Sequence, residues 1–370
     1  MITANAPVLH PDLTPAQRDC LDALPLTGNH VVSGPPGSGK SLLAAHRAVH
    51  LALTGRPTLL LSRSNLLRQL LNGVLQGLTV PGTPVEAATV HGWVLRRFGD
   101  SASRTQDGWF DWTALTQQAA AALGENEAAT PHLVVDEGQD LSPGFYRMAR
   151  LAAASVTVFA DECQRLTETN STLAEIADAL GRSTGRVEIA GNHRNSREIA
   201  SLAERFRTSG TQTEAPFRSG TLPMVRWYSG NKDLADDIAS LAARHPQDRI
   251  GVIVNSLRTA ADLMRRLERV GLAREPQLYS STASSGRYRD LDLARPGVVL
   301  VHRASAKGLD FDTVVIADAE SDSGTDPTSA TLRMAYYVMI TRARERLVLG
   351  WQGSRTPRHL EGLDEWLESR

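Results

Sequence analysis

Lysine is scarce in this chain. Of forty basic residues only Lys40, Lys232 and Lys307 are lysines, and the rest are arginines. None of the three has an acidic residue two positions before it, which argues against a nuclease centre built on an acidic-x-Lys pair. There are two cysteines, Cys20 and Cys163, without paired metal spacing, so neither a disulfide framework nor a zinc cluster is expected. Forty basic against forty-one acidic residues exclude a basic coat over the whole surface, though not a local basic groove. Uninterrupted apolar runs fall well short of the roughly 18 residues of a membrane span. The start, M-I-T-A-N-A-P-V, lacks the charged and apolar regions of a secretory signal. A cytoplasmic protein with no membrane contact is expected.

What is present is the composition of a globular chain of 370 residues, 41% hydrophobic and 22% charged. That length suits two domains, read as 1–190 and 191–370. The first half holds 14 basic and 18 acidic residues, the second 26 and 23. In the first half, short β-rich runs at 30–33, 57–62, 132–136, 155–160 and 186–190 alternate with helical patterns at 15–24, 40–53, 63–78, 143–152 and 172–181. In the second, strands are expected at 223–228, 249–254, 297–302, 313–318 and 346–350, and helices at 231–244, 257–270 and 329–344. Apolar runs alternating with amphipathic helices predict α/β domains, each a mostly parallel sheet covered on both faces. Polar stretches at 208–221 and 320–329 read as loops.

The sharpest motif is G-P-P-G-S-G-K-S at 34–41, between a strand ending at Ser33 and a helix. It fits the phosphate-binding loop, which arises by chance in roughly three of a thousand chains of this composition. Gly34, Gly37, Ser38 and Gly39 let backbone N–H groups turn onto phosphate oxygens, and the next helix adds its positive N-terminus. Lys40 is expected on the β/γ-phosphates and Ser41 on Mg²⁺. A second acidic strand end completes such a site. His132-Leu133-Val134-Val135-Asp136-Glu137 supplies it, with Asp136 on Mg²⁺ and Glu137 polarising the attacking water.

From about residue 13 to 350, the order and spacing of motifs resemble superfamily 1 helicases of the UvrD/Rep type. Leu13-Thr14-Pro15-Ala16-Gln17 resembles the Q motif, implying that Gln17 recognises adenine. L-L-L-S-R-S-N at 59–65 and Thr89-Val90-His91 resemble elements that meet single-stranded nucleic acid, implicating Arg63, Asn65, Thr89 and His91. Asp136-Glu137-Gly138-Gln139-Asp140 is similar to D-E-x-Q-D. Phe159 to Arg165 resembles motif III, with Gln164 as the γ-phosphate sensor. Gly191-Asn192-His193-Arg194 resembles motif IV, with His193 on adenine and Arg194 as an arginine finger. His302 to Phe311 resembles motif V, placing His302 on nucleic acid and Gly308 and Asp310 at ATP. Tyr337 to Arg344 resembles motif VI, with Arg342 as a second finger. The resemblance implies tandem RecA-like P-loop domains with ATP in the cleft between them, and a translocase moving on single-stranded DNA or RNA.

Several departures qualify the expectation. The insertions that full helicases carry are reduced to about 92–130 and 270–296. Motif III continues as Leu166 to Thr172 with no aromatic to stack on bases. Trp93, Trp109, Trp112 and Tyr228 are the candidate replacements, with Trp93 preferred because it follows His91 by two. His193 stands where the family has tyrosine, and Asp310 where it has glutamate. The alternative reading is a nucleotide-controlled switch acting on a partner such as a nuclease in phage defence or repair. Two arginine fingers in one chain make a site within the chain sufficient, so a monomer is expected.

Overall fold

The computed structural model describes residues 12–99, 102–105, 109–123, 130–161, 171–208, 216, 218–283, 286, 288–363 and 367. The chain divides into two compact units, Met1–Ala190 and Gly191–Arg370. In the first, β1 (His30–Ser33), β2 (Thr58–Ser62), β3 (Val85–Thr89), β4 (His132–Val135), β5 (Ser155–Ala160) and β6 (Gly185–Glu188) form one sheet in the order β3-β2-β4-β5-β1-β6. Every pairing is parallel.

The helices cover both faces, as the continuous apolar strands require. On one face α1 (Pro15–Asp22), α2 (Lys40–Ala52) and α3 (Asn65–Leu78) bury Leu43, Leu51, Leu67 and Leu71 against Val32, Leu60, Val134 and Phe159. On the other, α4 (Val90–Phe98), α5 (Trp112–Ala121), α6 (Pro143–Ala152) and α7 (Leu173–Leu180) pack around Val31, Leu133, Val135 and Val158. One buried cation braces the first face. Arg47 on α2 is 1% exposed and donates to the carbonyls of Leu24 and Pro25, tying the end of α1 to the sheet.

The second unit repeats the plan. Strands β7 (Met224–Tyr228), β8 (Arg249–Val254), β9 (Gln277–Leu278), β10 (Gly297–His302), β11 (Phe311–Ile316) and β12 (Ala343–Gln352) pair in the order β7-β12-β11-β8-β10-β9, again all parallel. Helices α8 (Arg197–Glu204), α9 (Asn231–Arg244), α10 (Leu257–Val270) and α11 (Ala330–Ile340) accompany it. The α/β class expected of both halves is thus observed.

Several boundaries and five elements differ from expectation. Helix α11 stops at Ile340 rather than 344. Thr341 is its C-cap, and β12 begins at Ala343, so the T-R-A-R stretch is a helix-to-strand turn. β11 runs 311–316 rather than 313–318, which frees Ala317 and Asp318 beyond the strand end. β3, α4, α5, α8 and β9 were not foreseen. β3 (V-E-A-A-T) is a half-exposed edge strand with little apolar signal, and α5 is alanine-rich with a weak apolar stripe. Among the described residues, no helix is long and apolar enough to cross a membrane.

Candidate nucleotide site and its neighbours

Strand order explains which side chains meet. β5 lies between β1 and β4, so three adjacent strands deliver the phosphate loop, Asp161 and Asp136 at their carboxyl ends. Ligands of open parallel sheets gather at this edge. The loop of residues 34–39 joins β1 to α2. Gly37 and Gly39 are left-handed, with φ of 80° and 92°. At Gly39 the positive φ calls for glycine, and a Cβ there would also displace the Gln17 amide, whose Nε2 would lie 2.4 Å away.

Lys40 is 8% exposed. Its ammonium donates to the carbonyls of Gly34 (2.6 Å) and Pro35 (2.8 Å) and pairs with Asp161 Oδ2 (3.2 Å). The Asp161 N–H donates to Gln139 Oε1 at 2.9 Å, and Gln139 Nε2 donates to Glu137 Oε2 at 2.6 Å. One polar chain therefore runs from the loop lysine to the Glu137 carboxylate. Glu137 is the one non-glycine residue with positive φ among those described (φ 54°, ψ 44°). Such a conformation costs about 1–3 kcal/mol and fixes where its side chain leaves the strand end. Gly138 follows because nothing larger fits. A Cβ there would lie 2.2 Å from Val158 Cγ1.

Asp136 is 2% exposed, and Oδ2 has no hydrogen-bond partner. Burial, reinforced by the Glu137 charge, pushes its pKa up to about 7, against the opposing pull of the Ser41 hydroxyl and Lys40. Ser38 Oγ is likewise buried without a partner. A buried carboxylate oxygen lacking a partner, beside a hydroxyl, fits a divalent cation of the Mg²⁺ kind, which takes one or two protein oxygens and keeps waters and phosphate oxygens for the rest. Ser41 and Asp136 would hold it. No cluster of three or more His, Cys, Asp or Glu suited to a metal occurs among the described residues.

Gln17 touches the loop, but both ends of its amide are engaged. Oε1 accepts from Thr14 N–H (3.1 Å) in a capping box and Nε2 donates to Ser38 O (2.9 Å). Gln164 lies outside the described residues, as does motif III from Glu162 to Arg165.

Beside this site, on the same sheet edge, stand the residues expected to meet nucleic acid. Ser62 and Thr89 are register partners, so the ends of β2 and β3 bring Arg63 and His91 to one edge. Thr89 Oγ1 caps α4 by accepting from Gly92 N–H (3.0 Å), and Asn65 Oδ1 accepts from Arg68 Nε (3.1 Å). Trp93 requires correction. It is 3% exposed and packs edge-on against Phe145 at 6.1 Å, so its ring is core and presents no face to a base. The helical period that puts His91 outside turns Trp93 inward. Tyr228 is buried too, donating to Asp237 at 2.7 Å.

In the second unit Arg194, Arg342 and Asp310 do come together. Burial would raise the Asp310 pKa, but Arg249, Arg194, Arg344 and Arg342 outweigh it and hold the carboxyl below its usual range. Arg344 and Arg249 approach Asp310 at 3.7 and 3.8 Å. Arg342 is 1% exposed. It donates from Nε to Val338 O (2.9 Å), from Nη1 to Leu309 O (3.2 Å) and from Nη2 to Thr341 Oγ1 (3.1 Å). The guanidinium expected as a second finger therefore braces its own turn, and the exposed arginine of that turn is Arg344. Asn192 Oδ1 accepts from the N–H groups of Arg194 and Asn195, while Asn195 Nδ2 donates to Thr341 O and Ala343 O, locking the Arg194 loop onto the same turn. His193 is exposed beside Gly191, and Gly308 is left-handed at φ 79°. His302 is committed at both ring nitrogens: Nδ1 accepts from Ala304 N–H (3.2 Å), which leaves Nε2 to donate to Asn255 O (2.9 Å).

Asp161, Gln139, Asn195 and Arg344 are the site residues that motif reading left without a role. Asp161 carried a signal, since it ends an apolar strand as Asp136 does. Asn195 and Arg344 carried none, because their partners lie about 150 residues away in the chain or across the sheet.

No protein-family model matches this chain, and no curated protein matches it. Among solved structures it is similar to the C-terminal domain of a possible DNA helicase from Lactobacillus plantarum, at 22% identity and TM-score 0.36, over 48% of this chain and 98% of that one. It is similar to the arterivirus nonstructural protein 10 helicase, at 15% identity and TM-score 0.43, over 96% of this chain and 64% of that one. The Escherichia coli DEAH/RHA helicase HrpB is similar at 12% identity and TM-score 0.46, over 91% of this chain and 42% of that one. The chain thus spans less than two thirds of the length of the latter two.

Proposed function

We propose that this chain is an ATP-hydrolysing motor of the UvrD/Rep type that moves on single-stranded nucleic acid. The observation that carries the proposal is the row of Lys40, Asp161 and Asp136–Glu137 at three adjacent strand ends, tied into one polar chain by Gln139. Phosphoryl transfer asks of a protein little beyond positioning and charge neutralisation, and these residues are placed for both. The loop N–H groups and the α2 N-terminus bind phosphate oxygens. Lys40 exchanges its carbonyl partners for the β/γ-phosphates. Mg²⁺, held by Ser41 and Asp136, supplies charge neutralisation on the phosphates. Glu137, fixed by its strained backbone and by Gln139, orients and polarises the attacking water.

In the same reading Gln17 and His193 bind adenine, Gly308 and Asp310 complete the ATP contacts, and Gln164 senses the γ-phosphate. Arg194 is the arginine finger. Arg342 serves as a second finger only by exchanging its bonds to Val338 and Leu309 for phosphate oxygens. Arg63, Asn65, Thr89, His91 and His302 meet the nucleic acid.

The test is steady-state ATP hydrolysis by the wild type and Lys40→Ala, with and without a single-stranded DNA or RNA oligomer, across a salt series. Stimulation by the oligomer that fades with salt, and turnover reduced to background in Lys40→Ala, are expected. A Lys40-dependent rate indifferent to both nucleic acids overturns the motor and favours a nucleotide switch acting on a protein partner.

A further inference from the structure

We infer that Trp109 is the base-stacking residue of the N-terminal unit, with Arg63 and the Arg104–His91 pair as its cationic flank. This rests on the proposed movement along single-stranded nucleic acid and says where that strand is gripped.

The stretch that follows Arg165 in motif III has no aromatic, so a motor of this kind needs a stacking surface elsewhere. Trp109 is 37% exposed, on a segment whose other aromatic neighbours are turned inward. Its backbone is held by the described residues around it. Arg104 and Phe110 form an antiparallel bridge, Asp111 N–H donates to Ser103 O (2.9 Å), and Thr105 donates to Trp109 O through N–H (2.7 Å) and hydroxyl (3.1 Å). The indole stacks on Phe110 at 6.3 Å and 22° between planes. Phe110 is 2% exposed and packs against Trp112 at 5.5 Å. An exposed indole rooted this way in buried rings has little freedom to lose on binding, which is what a stacking platform requires.

The charges agree. The Arg63 guanidinium carbon lies 5.5 Å from the Trp109 ring centre, and Nη1 donates to Asp140 O at 3.3 Å. Arg104 lies 4.9 Å over Phe110 and contacts His91 Nε2 at 3.0 Å. Asp111, next in the chain after Phe110, turns its carboxylate onto the N-terminus of α5. Alternating flat rings and guanidiniums match the alternating bases and phosphates of a single strand. The platform stands at the carboxyl ends of β2 and β3, on the edge that also carries the phosphate loop. A strand lying there is on the same compact unit as Asp136, joined to it by the paired strands β2 and β4.

The experiment is fluorescence anisotropy of a labelled oligo-dT titrated with wild type, Trp109→Ala, Trp109→Phe, Arg63→Gln and Trp227→Ala, with melting curves for each. Trp109→Ala is expected to weaken binding about 10- to 100-fold, the value of one stacked base. Trp109→Phe recovers most of it. Arg63→Gln, which leaves the Arg104–Phe110 bridge and the rings intact, weakens binding by roughly three- to tenfold and lowers the salt slope by about one ion. Trp227→Ala removes a 50% exposed indole on β7 and leaves affinity unchanged. Wild-type affinity in Trp109→Ala overturns the inference while the motor reading stands. So does wild-type affinity in Arg63→Gln should Trp109→Ala prove unstable. A wild type that binds no single strand overturns both.

Discussion

Both units place a buried carboxylate just beyond a central strand, and only the first sets a glycine loop and a lysine beside it. Asp136 follows β4 and Asp318 follows β11; each is nearly inaccessible, and each has an oxygen without a hydrogen-bond partner. Their surroundings differ. Asp136 has Ser41 and Lys40 beside it, under a six-residue glycine loop between β1 and α2. Asp318 has Glu320 and Asp322, and β8 passes to α10 through Asn255 and Ser256 alone. Two residues leave no cradle for a phosphate. The parallel sheet therefore supplies an edge, and the loop and its lysine are what make that edge the proposed nucleotide site.

The largest expected effect tests this contrast directly. Glu137→Gln keeps the shape and removes the base, so hydrolysis should fall about 10²- to 10⁴-fold while nucleotide affinity stays near wild type. Asp318→Asn, at the matching place in the second unit, should leave the chemical step unchanged. Single-turnover hydrolysis with a nucleotide-binding titration separates the two. Comparable losses in both variants would break the contrast.

Next is the arginine pair of the second unit. Arg342→Ala strips donors from the carbonyls of Val338 and Leu309 in a buried turn and should cost about 2–4 kcal/mol of stability. Arg344→Ala, on an exposed side chain, should alter urea unfolding by less than about 1 kcal/mol. Equal midpoints for the two variants would remove the bracing role assigned to Arg342.

Asp318 gives a pH dependence. Burial first, then the charges of Glu320 and Asp322, raise its carboxyl to about 6, against the N–H groups of Asn255 and Ser256. A raised folded pKa means its favourable contribution is complete below the unfolded value near 4 and is lost as pH climbs through 6. Taken alone, that amounts to roughly 3 kcal/mol. Asp318→Asn should match wild type at pH 4 and exceed it by about 2 kcal/mol at pH 8 in urea unfolding. A difference that does not change with pH would show that Asp318 is not the titrating group.

How much of this was legible in the residues follows from where each signal lives. The phosphate loop, Asp136, Glu137 and nearly all central strands were readable because local pattern encodes them: glycine spacing in one case, continuous apolar runs in the other. Edge strand β3 and alanine-rich α5 were not, since neither carries a strong apolar period. Trp93 was misread because proximity to His91 in sequence says nothing about the side of a helix. Trp109 could be named as a candidate, but its exposure depends on the Arg104–Phe110 bridge and the ring contacts beside it. The locking of Asn195 onto the turn at Thr341 spans 146 positions, and a single sequence has no signal for such a contact.

The smallest effect concerns Gln17, where the contrast between the units narrows to one amide. The resemblance makes it an adenine reader. In the structure Oε1 closes the capping box on Thr14 and Nε2 holds Ser38 O, so the side chain ties α1 to the phosphate loop. One Nε2 proton remains for a base. Gln17→Ala should therefore cost about 1 kcal/mol through the lost cap alone. It should also loosen the loop for every nucleotide alike. If reading adenine is the larger role, the variant loses its preference for ATP over GTP. If anchoring is, affinity for both falls by the same few-fold factor and the preference survives. Competition titrations with the two nucleotides distinguish these, and the second result would mean that the phosphate loop is held in shape by α1.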